Sequence, residues 1–197
     1  YLSNQGFTHL GHGLRNHKTL NELNISGCSN TRSDISGIFE INDVISTMKT
    51  LMKLDISNNH LCPEGTGYLG TALKGNKSIT ELNISSNSIR RNQQGLYEDT
   101  SGLLTITKTI VTMRGFKSLD IRYNLKYDNL GEIAAMIKEH AIMHLTPFIL
   151  IGCDHVHERR IIEKVKDLNA WRIVTNRFLT CKGLLHRASL IHISRYL

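Results

Sequence analysis

Short segments of alternating apolar and polar residues recur along the chain. Each follows the pattern Leu-x-x-Leu-x-Ile-x-x-Asn or a close variant of it, and the six copies begin at residues 20, 51, 79, 116, 145 and 168. The clearest copies occupy residues 51–59, 79–87 and 116–124. Because alternate side chains of a β-strand point to opposite faces, each copy predicts a short strand that directs its second and third apolar residues into a core.

A second pattern lies at a fixed distance before the first four copies. Apolar residues stand ten and six positions before the start of each copy, as Leu10 and Leu14, Ile41 and Ile45, Leu69 and Leu73, and Ile106 and Ile110. In the fifth unit the pair is Ile133 and Ile137, displaced by two positions. Apolar residues four positions apart form a stripe along a helix, so each unit is predicted to contain a strand, a loop, a helix and a return.

These residues resemble a leucine-rich repeat array of the ribonuclease-inhibitor-like subtype, whose repeats of about 28–29 residues are among the longest of that family. The resemblance implies an α/β fold, a leucine-rich repeat solenoid with a curved parallel sheet on the concave side and helices on the convex side. The chain begins inside a repeat that lacks its strand, which indicates a fragment of a longer array. We predict that residues 1–176 form the array, with five to six strand units, and that residues 177–197 form a basic C-terminal cap or tail.

A polar residue closes each of the clearest copies. Asn59, Asn87 and Asn124 hold this place, and Cys28 and Cys153 hold it in two other copies. Since an asparagine amide both donates and accepts hydrogen bonds, we expect these side chains to satisfy backbone groups in the turns that follow the strands.

Composition and charge exclude several classes of protein. The chain of 197 residues is 40% hydrophobic and 21% charged, which is typical of a globular domain. Its four cysteines are too few for a disulfide scaffold and favour the cytosol. The net charge of +7 is concentrated in residues 177–197, which hold four basic residues and no acidic one. Because these charges are scattered, we expect a cap or a solvated end and no membrane contact, and nucleic acid is the less favoured partner.

No arrangement of residues indicates catalysis. Phosphate-binding glycine loops and the common hydrolase and zinc-protease motifs are absent, so we predict a protein that is not an enzyme and needs no cofactor or small-molecule substrate. Cys153, His155 and His157 form the densest reactive group and could offer ligands to zinc. No second pair stands at ligand spacing and Cys153 already belongs to the repeat, so no metal site is predicted.

The residues between the core positions of each predicted strand face outward and are the candidates for binding. In the first three units they are small, polar and mixed in charge, whereas later units carry apolar residues edged by arginines. An exposed apolar patch of this kind indicates a contact, either with the tail 177–197 folded back as a cap or with another protein. The candidate partner-binding residues are Lys53, Asp55, Arg122, Tyr123, Ile149, Ile151 and Arg172.

The sequence therefore predicts a cytoplasmic, non-catalytic protein–protein interaction scaffold. The resemblance leaves two alternatives, because this repeat subtype also builds regulators of enzymes (ribonuclease inhibitors and activators of the small GTPase Ran) and the ligand-sensing part of innate-immune receptors. Nucleic-acid binding through the basic tail is a further, less favoured alternative. The sequence does not identify the partner.

Overall fold

Helices and strands alternate along the chain. The computed structural model describes residues 2–28, 36–90 and 99–124, together with the backbone of one further strand. The helices are α1 (Asn4–Leu14), α2 (Ser36–Thr47), α3 (Cys62–Ala72) and α4 (Ser101–Thr112). The strands are β1 (Glu22–Asn24), β2 (Lys53–Asp55), β3 (Glu81–Asn83), β4 (Ser118–Asp120) and β5 (Ile149–Ile151). The predicted helix around Ile133 and Ile137, the sixth unit and the tail 177–197 lie outside the described residues.

The five strands form one parallel sheet in the order in which they occur along the chain. Leu23, Leu54, Leu82, Leu119 and Leu150 stand in line across it. For β1 to β4 this is the register predicted by aligning the repeated segments, so those repeat positions are confirmed as neighbours in the sheet. For β5 the predicted register is wrong by two residues, since the alignment puts Phe148 beside Leu119, whereas Leu150 stands there. Parallel strands connected through helices define an α/β architecture.

A continuous apolar core lies between the sheet and the helices. The predicted helix stripes and inward strand residues of the second to fourth units are all in it: Ile41, Ile45, Leu69, Leu73, Ile106 and Ile110 meet Leu54, Ile56, Leu82, Ile84, Leu119 and Ile121. In the first unit Leu10, Leu14 and Leu23 are only partly buried, since within the described residues this unit has a neighbour on one side. Burial therefore grows with the number of neighbouring units, as in proteins built from stacked repeats.

Asparagine side chains connect neighbouring units where the strands end. Asn59 is fully buried, and its amide nitrogen donates to the carbonyl oxygens of Ile25 (2.8 Å) and Ile56 (3.0 Å). The Asn87 side chain accepts from the Asn59 backbone N–H (2.8 Å), and that of Asn124 accepts from the Asn87 backbone N–H (2.7 Å). The predicted role of these residues is confirmed, and we call the chain of bonds the asparagine ladder.

The loops that lead from helix to strand are closed by local side-chain bonds. In the loop after α3, the Asn76 side chain accepts from the backbone N–H groups of Ser78 and Ile79, both at 2.9 Å. His17 stands at the equivalent place after α1, where its Nδ1 accepts from the backbone N–H of Leu20 at 3.0 Å. His17 is exposed and also organises this loop.

Replacing His17 tests this capping role. We expect His17→Ala to lower the free energy of unfolding by about 0.5–1 kcal/mol, because the loop N–H groups lose a neutral acceptor. His17→Asn should restore most of the lost stability, since the Asn76 side chain accepts the equivalent hydrogen bonds in the loop after α3. Chemical denaturation of the three proteins gives the comparison, and equal midpoints for wild type and His17→Ala would contradict the role.

None of the described helices is long and apolar enough to cross a membrane.

Candidate protein-binding surface

The outward side chains of the strands and of the turns after them form three columns across the sheet. The first column is Glu22, Lys53, Glu81 and Ser118; the second is Asn24, Asp55, Asn83 and Asp120; the third is Ser26, Ser57, Ser85 and Arg122. The observed register places the members of the first two columns side by side. We call these columns, together with Tyr123, the strand surface.

Lys53, a predicted binding residue, is paired within the strand surface. Its Nζ lies 3.0 Å from Oε1 of Glu22, on the neighbouring strand. The hydrogen bond and the charge of Glu22, with a smaller contribution from Glu81, raise the pKa of Lys53 above its ordinary value. Both side chains are largely exposed, so the pair stays accessible and a partner can exchange one ion pair for another at little cost.

Asp55, the second predicted binding residue, is held by its neighbours. Its Oδ1 accepts from the hydroxyl (2.7 Å) and the backbone N–H (3.0 Å) of Ser57. Its Oδ2 accepts from the side-chain amide of Asn83 on β3 at 2.9 Å. The carboxylate is therefore fixed in place, and this part of the strand surface is a rigid polar area.

The Arg122 side chain is locked against β4. Its Nη2 lies 2.6 Å from Oδ2 of Asp120, and its Nε contacts both carboxylate oxygens at 2.9–3.0 Å. Asp120 is almost buried, with 5% of its surface exposed. Because a charge-assisted bond of this geometry is strong and directional, the guanidinium is preorganised beside Tyr123.

Tyr123 is the most exposed large apolar side chain among the described residues, at 77%. Its backbone is in the left-handed region, with φ of 60°. Gly27, Asn58 and Ser86 hold the same repeat position with φ of 62°, 56° and 54°. Glycine and asparagine tolerate this conformation, whereas a bulky residue there costs about 1–2 kcal/mol. The Tyr123 ring is little buried, so packing of the ring does not offset this cost.

The remaining predicted residues are placed only in part. Ile149 and Ile151 stand in register with Ser118 and Asp120, so they continue the first and second columns on β5. Only the backbone of this strand is described. Arg172 lies outside the described residues.

Within residues 2–28, 36–90 and 99–124, no group of three or more histidine, cysteine or acidic residues is arranged to hold a metal ion. The two cysteines of the described ranges, Cys28 and Cys62, are not joined in a disulfide. The Cys153, His155 and His157 cluster lies outside the described residues.

Comparison with known proteins supports the fold assignment. No family model matches the chain. Among solved structures, the chain is similar to one described as "Leiomodin-1 Actin-Binding Site 2 (ABS2)", with a TM-score of 0.58 and 15% sequence identity, over 85% of this chain and 91% of that one. At this identity the likeness concerns the fold, and it extends over most of both chains.

Proposed function

We propose that this chain is a leucine-rich repeat solenoid that works as a non-catalytic protein-interaction module. The sequential parallel strands, the helix stripes in one core and the asparagine ladder support the repeat assignment. A rigid array of this kind presents a preformed surface, so binding costs little conformational entropy. Recognition is then set by the outward residues, which differ from unit to unit.

The observation that carries the proposal is the exposed ring of Tyr123 on a strained backbone. The left-handed turn recurs in each described unit, so the fold requires this backbone conformation but does not require a tyrosine in it. A bulky residue kept at such a position favours a function for its side chain. Tyrosine and arginine are also the residue types that dominate binding energy in protein interfaces. Tyr123 with the locked Arg122 is therefore an anchor of the strand surface, and Ile149 and Ile151 extend it on β5.

A protein partner agrees with the fold comparison, since the name of the similar structure describes an actin-binding site. Actin is for this reason one partner to test directly. Regulation of an enzyme, such as a small GTPase or a nuclease, is the alternative function and would use the same strand surface. We assign the module to the cytoplasm because four cysteines in 197 residues are too few for the disulfide scaffold typical of small secreted domains.

The test is affinity capture from source lysate, with bound proteins identified by mass spectrometry. Tyr123→Ser removes the ring, and we expect the captured partner to decrease at least about tenfold, as for loss of an interface anchor. Tyr68→Ser on α3 is the matched control, because Tyr68 is also an exposed tyrosine (42%) but lies on the helix side. Purified actin is assayed in parallel by co-sedimentation.

Three outcomes are distinguishable. A partner retained by Tyr68→Ser and lost by a folded Tyr123→Ser supports the strand surface. Equal capture by all three proteins contradicts it, and loss with Tyr68→Ser alone moves the interface to the helices.

A further inference from the structure

The loops that lead from each helix to the next strand carry an unusual charge. The four loops are residues 15–21, 48–52, 73–80 and 113–117. They contain seven basic residues and no acidic residue: Arg15, Lys18, Lys49, Lys74, Lys77, Arg114 and Lys117. The described residues of the loops on the opposite edge, 25–28, 56–61, 84–90 and 99–100, contain one basic and one acidic residue, Arg90 and Asp99. We call the first set the basic edge.

The basic edge is one continuous structure. The Thr50 hydroxyl donates to the carbonyl oxygen of Leu20 in the first loop at 2.8 Å. The Thr80 backbone N–H in the third loop donates to the carbonyl oxygen of Met52 in the second at 2.8 Å. The Lys117 backbone N–H in the fourth loop donates to the carbonyl oxygen of Thr80 at 2.7 Å. Each loop is thus bonded to the next, and the cations stand in a row across the edge of the sheet.

Six of the seven basic side chains have no ion-pair partner among the described residues. Arg15 alone pairs, with its Nη2 3.6 Å from Oε2 of Glu40. All seven residues are exposed. A row of unpaired cations without an intervening acid creates a positive potential that attracts a polyanion.

Stabilisation of the helices accounts for only part of this charge. Cations next to a helix C-terminus complement its carbonyl groups, but the effect is confined to the last turn. Lys18, Lys77 and Lys117 stand four or five residues beyond the ends of α1, α3 and α4. Stabilisation of the helices therefore does not explain the positions of these three lysines.

A cleft of about 390 Å³ opens in the basic edge between the third and fourth loops. Lys77 and Arg114, both exposed, line it together with the buried side chains of Ile79 and Met113. The cleft therefore combines cations at its mouth with an apolar floor. It has room for one medium-sized aliphatic side chain whose neighbours are acidic.

We propose that the basic edge is a second docking surface, which binds an acidic polypeptide segment that inserts one apolar side chain into this cleft. The surface is separate from the one proposed above, because the basic edge lies where the strands begin and Tyr123 lies where β4 ends. Carboxylates of the segment pair with the row of cations, and the apolar side chain fixes its position.

Features of the edge favour this occupant over nucleic acid or a membrane. Single-stranded nucleic acid is bound on exposed aromatic rings, and the one aromatic ring of the Phe/Tyr/Trp type in these loops, Phe116, is buried. A duplex or a lipid surface would use the cations alone and would gain nothing from the cleft. A segment of mixed acidic and apolar character uses both.

The test measures fluorescence anisotropy of a labelled peptide, eight aspartates interrupted by one central leucine, with the full chain. We expect Lys77→Gln/Arg114→Gln to weaken binding about tenfold, since two ion pairs at the cleft are lost. The control Gln5→Glu/Lys108→Gln, at exposed positions on α1 and α4, lowers the net charge equally but outside these loops, and peptide binding should stay within about twofold of the wild type. A peptide with glycine in place of leucine should bind several-fold more weakly, and added salt should weaken every complex.

Several results would overturn the proposal. These are absence of peptide binding, equal weakening by the two double variants, equal affinity for the leucine and glycine peptides, or tighter binding of a duplex oligonucleotide or of phosphatidylserine vesicles. Thermal melts establish that each variant is folded, and Lys18→Gln/Lys117→Gln gives a second measure if the first variant is not. Tyr123→Ser should bind the peptide as the wild type does, so failure of this surface is separable from failure of the strand surface.

Discussion

Asn87→Ala is expected to lower the free energy of unfolding by about 2–4 kcal/mol. The Asn87 side chain is fully buried. It accepts from the backbone N–H of Asn59 at 2.8 Å and donates to the carbonyl oxygen of Ile56 at 2.9 Å. Alanine removes the acceptor of the buried Asn59 N–H in a place that water does not reach, and it removes one of the two side-chain donors to the Ile56 carbonyl, the other being the amide of Asn59. The penalty falls on two units because the asparagine ladder joins them. Urea denaturation followed by circular dichroism measures the change.

Asn83→Ala is the matched control, since it removes the same amide from the same unit. The Asn83 side chain is only half-buried and bonds Asp55 and the Ser85 backbone N–H, so its loss should cost about 1 kcal/mol or less. Equal destabilisation by the two substitutions would contradict the larger contribution to stability expected of the buried ladder residue.

Gly102→Ala is expected to destabilise the protein by about 2–3 kcal/mol, although alanine in place of glycine ordinarily stabilises a helix by about 1 kcal/mol. A Cβ at residue 102 would run into the backbone carbonyl of Pro63, with the carbonyl carbon 2.8 Å away. A clash with backbone cannot be relieved by a side-chain rotation, so α3 and α4 must move apart. Thermal unfolding of the variant measures the cost.

Gly13→Ala gives the opposite expectation with the same change. Gly13 lies near the end of α1, and a Cβ there would meet nothing within 4 Å. We expect its melting temperature to equal or exceed that of the wild type. A Gly102→Ala protein as stable as Gly13→Ala would contradict the close approach of α3 and α4.

The sequence alone is enough to predict the register of the first four strands and the helix stripes of the described units, whereas the fifth strand is displaced from the aligned register by two residues. Both depend on apolar periodicity, and a repeat displays the same periodicity several times, so Leu54, Leu82 and Leu119 align without any structural information. The asparagine ladder is predictable for the same reason, because an amide recurring at a strand end has few other uses. The strands themselves are short, three residues each, since the chain turns towards the helices directly after them.

Features that depend on the distance between units are not visible in the pattern. Nothing in the sequence distinguishes Gly102 from the other glycines, and only the structure shows that α3 packs against it. The left-handed backbone of Tyr123 could have been noticed, because glycine and asparagine hold the same position in other copies, but only the structure shows that the ring is exposed. Among the predicted binding residues, Lys53, Asp55 and Arg122 prove to be bonded to neighbours on the strand surface.

The basic edge was missed because its charges are spread over four loops. Acidic residues elsewhere in the array nearly balance these charges in the composition. Only the helix and strand bounds show that all seven basic residues lie on one edge of the sheet. The positive charge of the tail 177–197 is visible in the sequence because its four basic residues have no acidic residue among them. The basic edge is a second concentration of charge, within the array.

Site-specific photo-crosslinking tests the proposed contact between the strand surface and another protein. A photoreactive phenylalanine analogue is placed at residue 123 in one protein and at residue 68 in another, and both are irradiated in source lysate. We predict a discrete crosslinked protein from position 123 that is absent from position 68. Crosslinks of equal yield from both positions, or from position 68 alone, would contradict the claim.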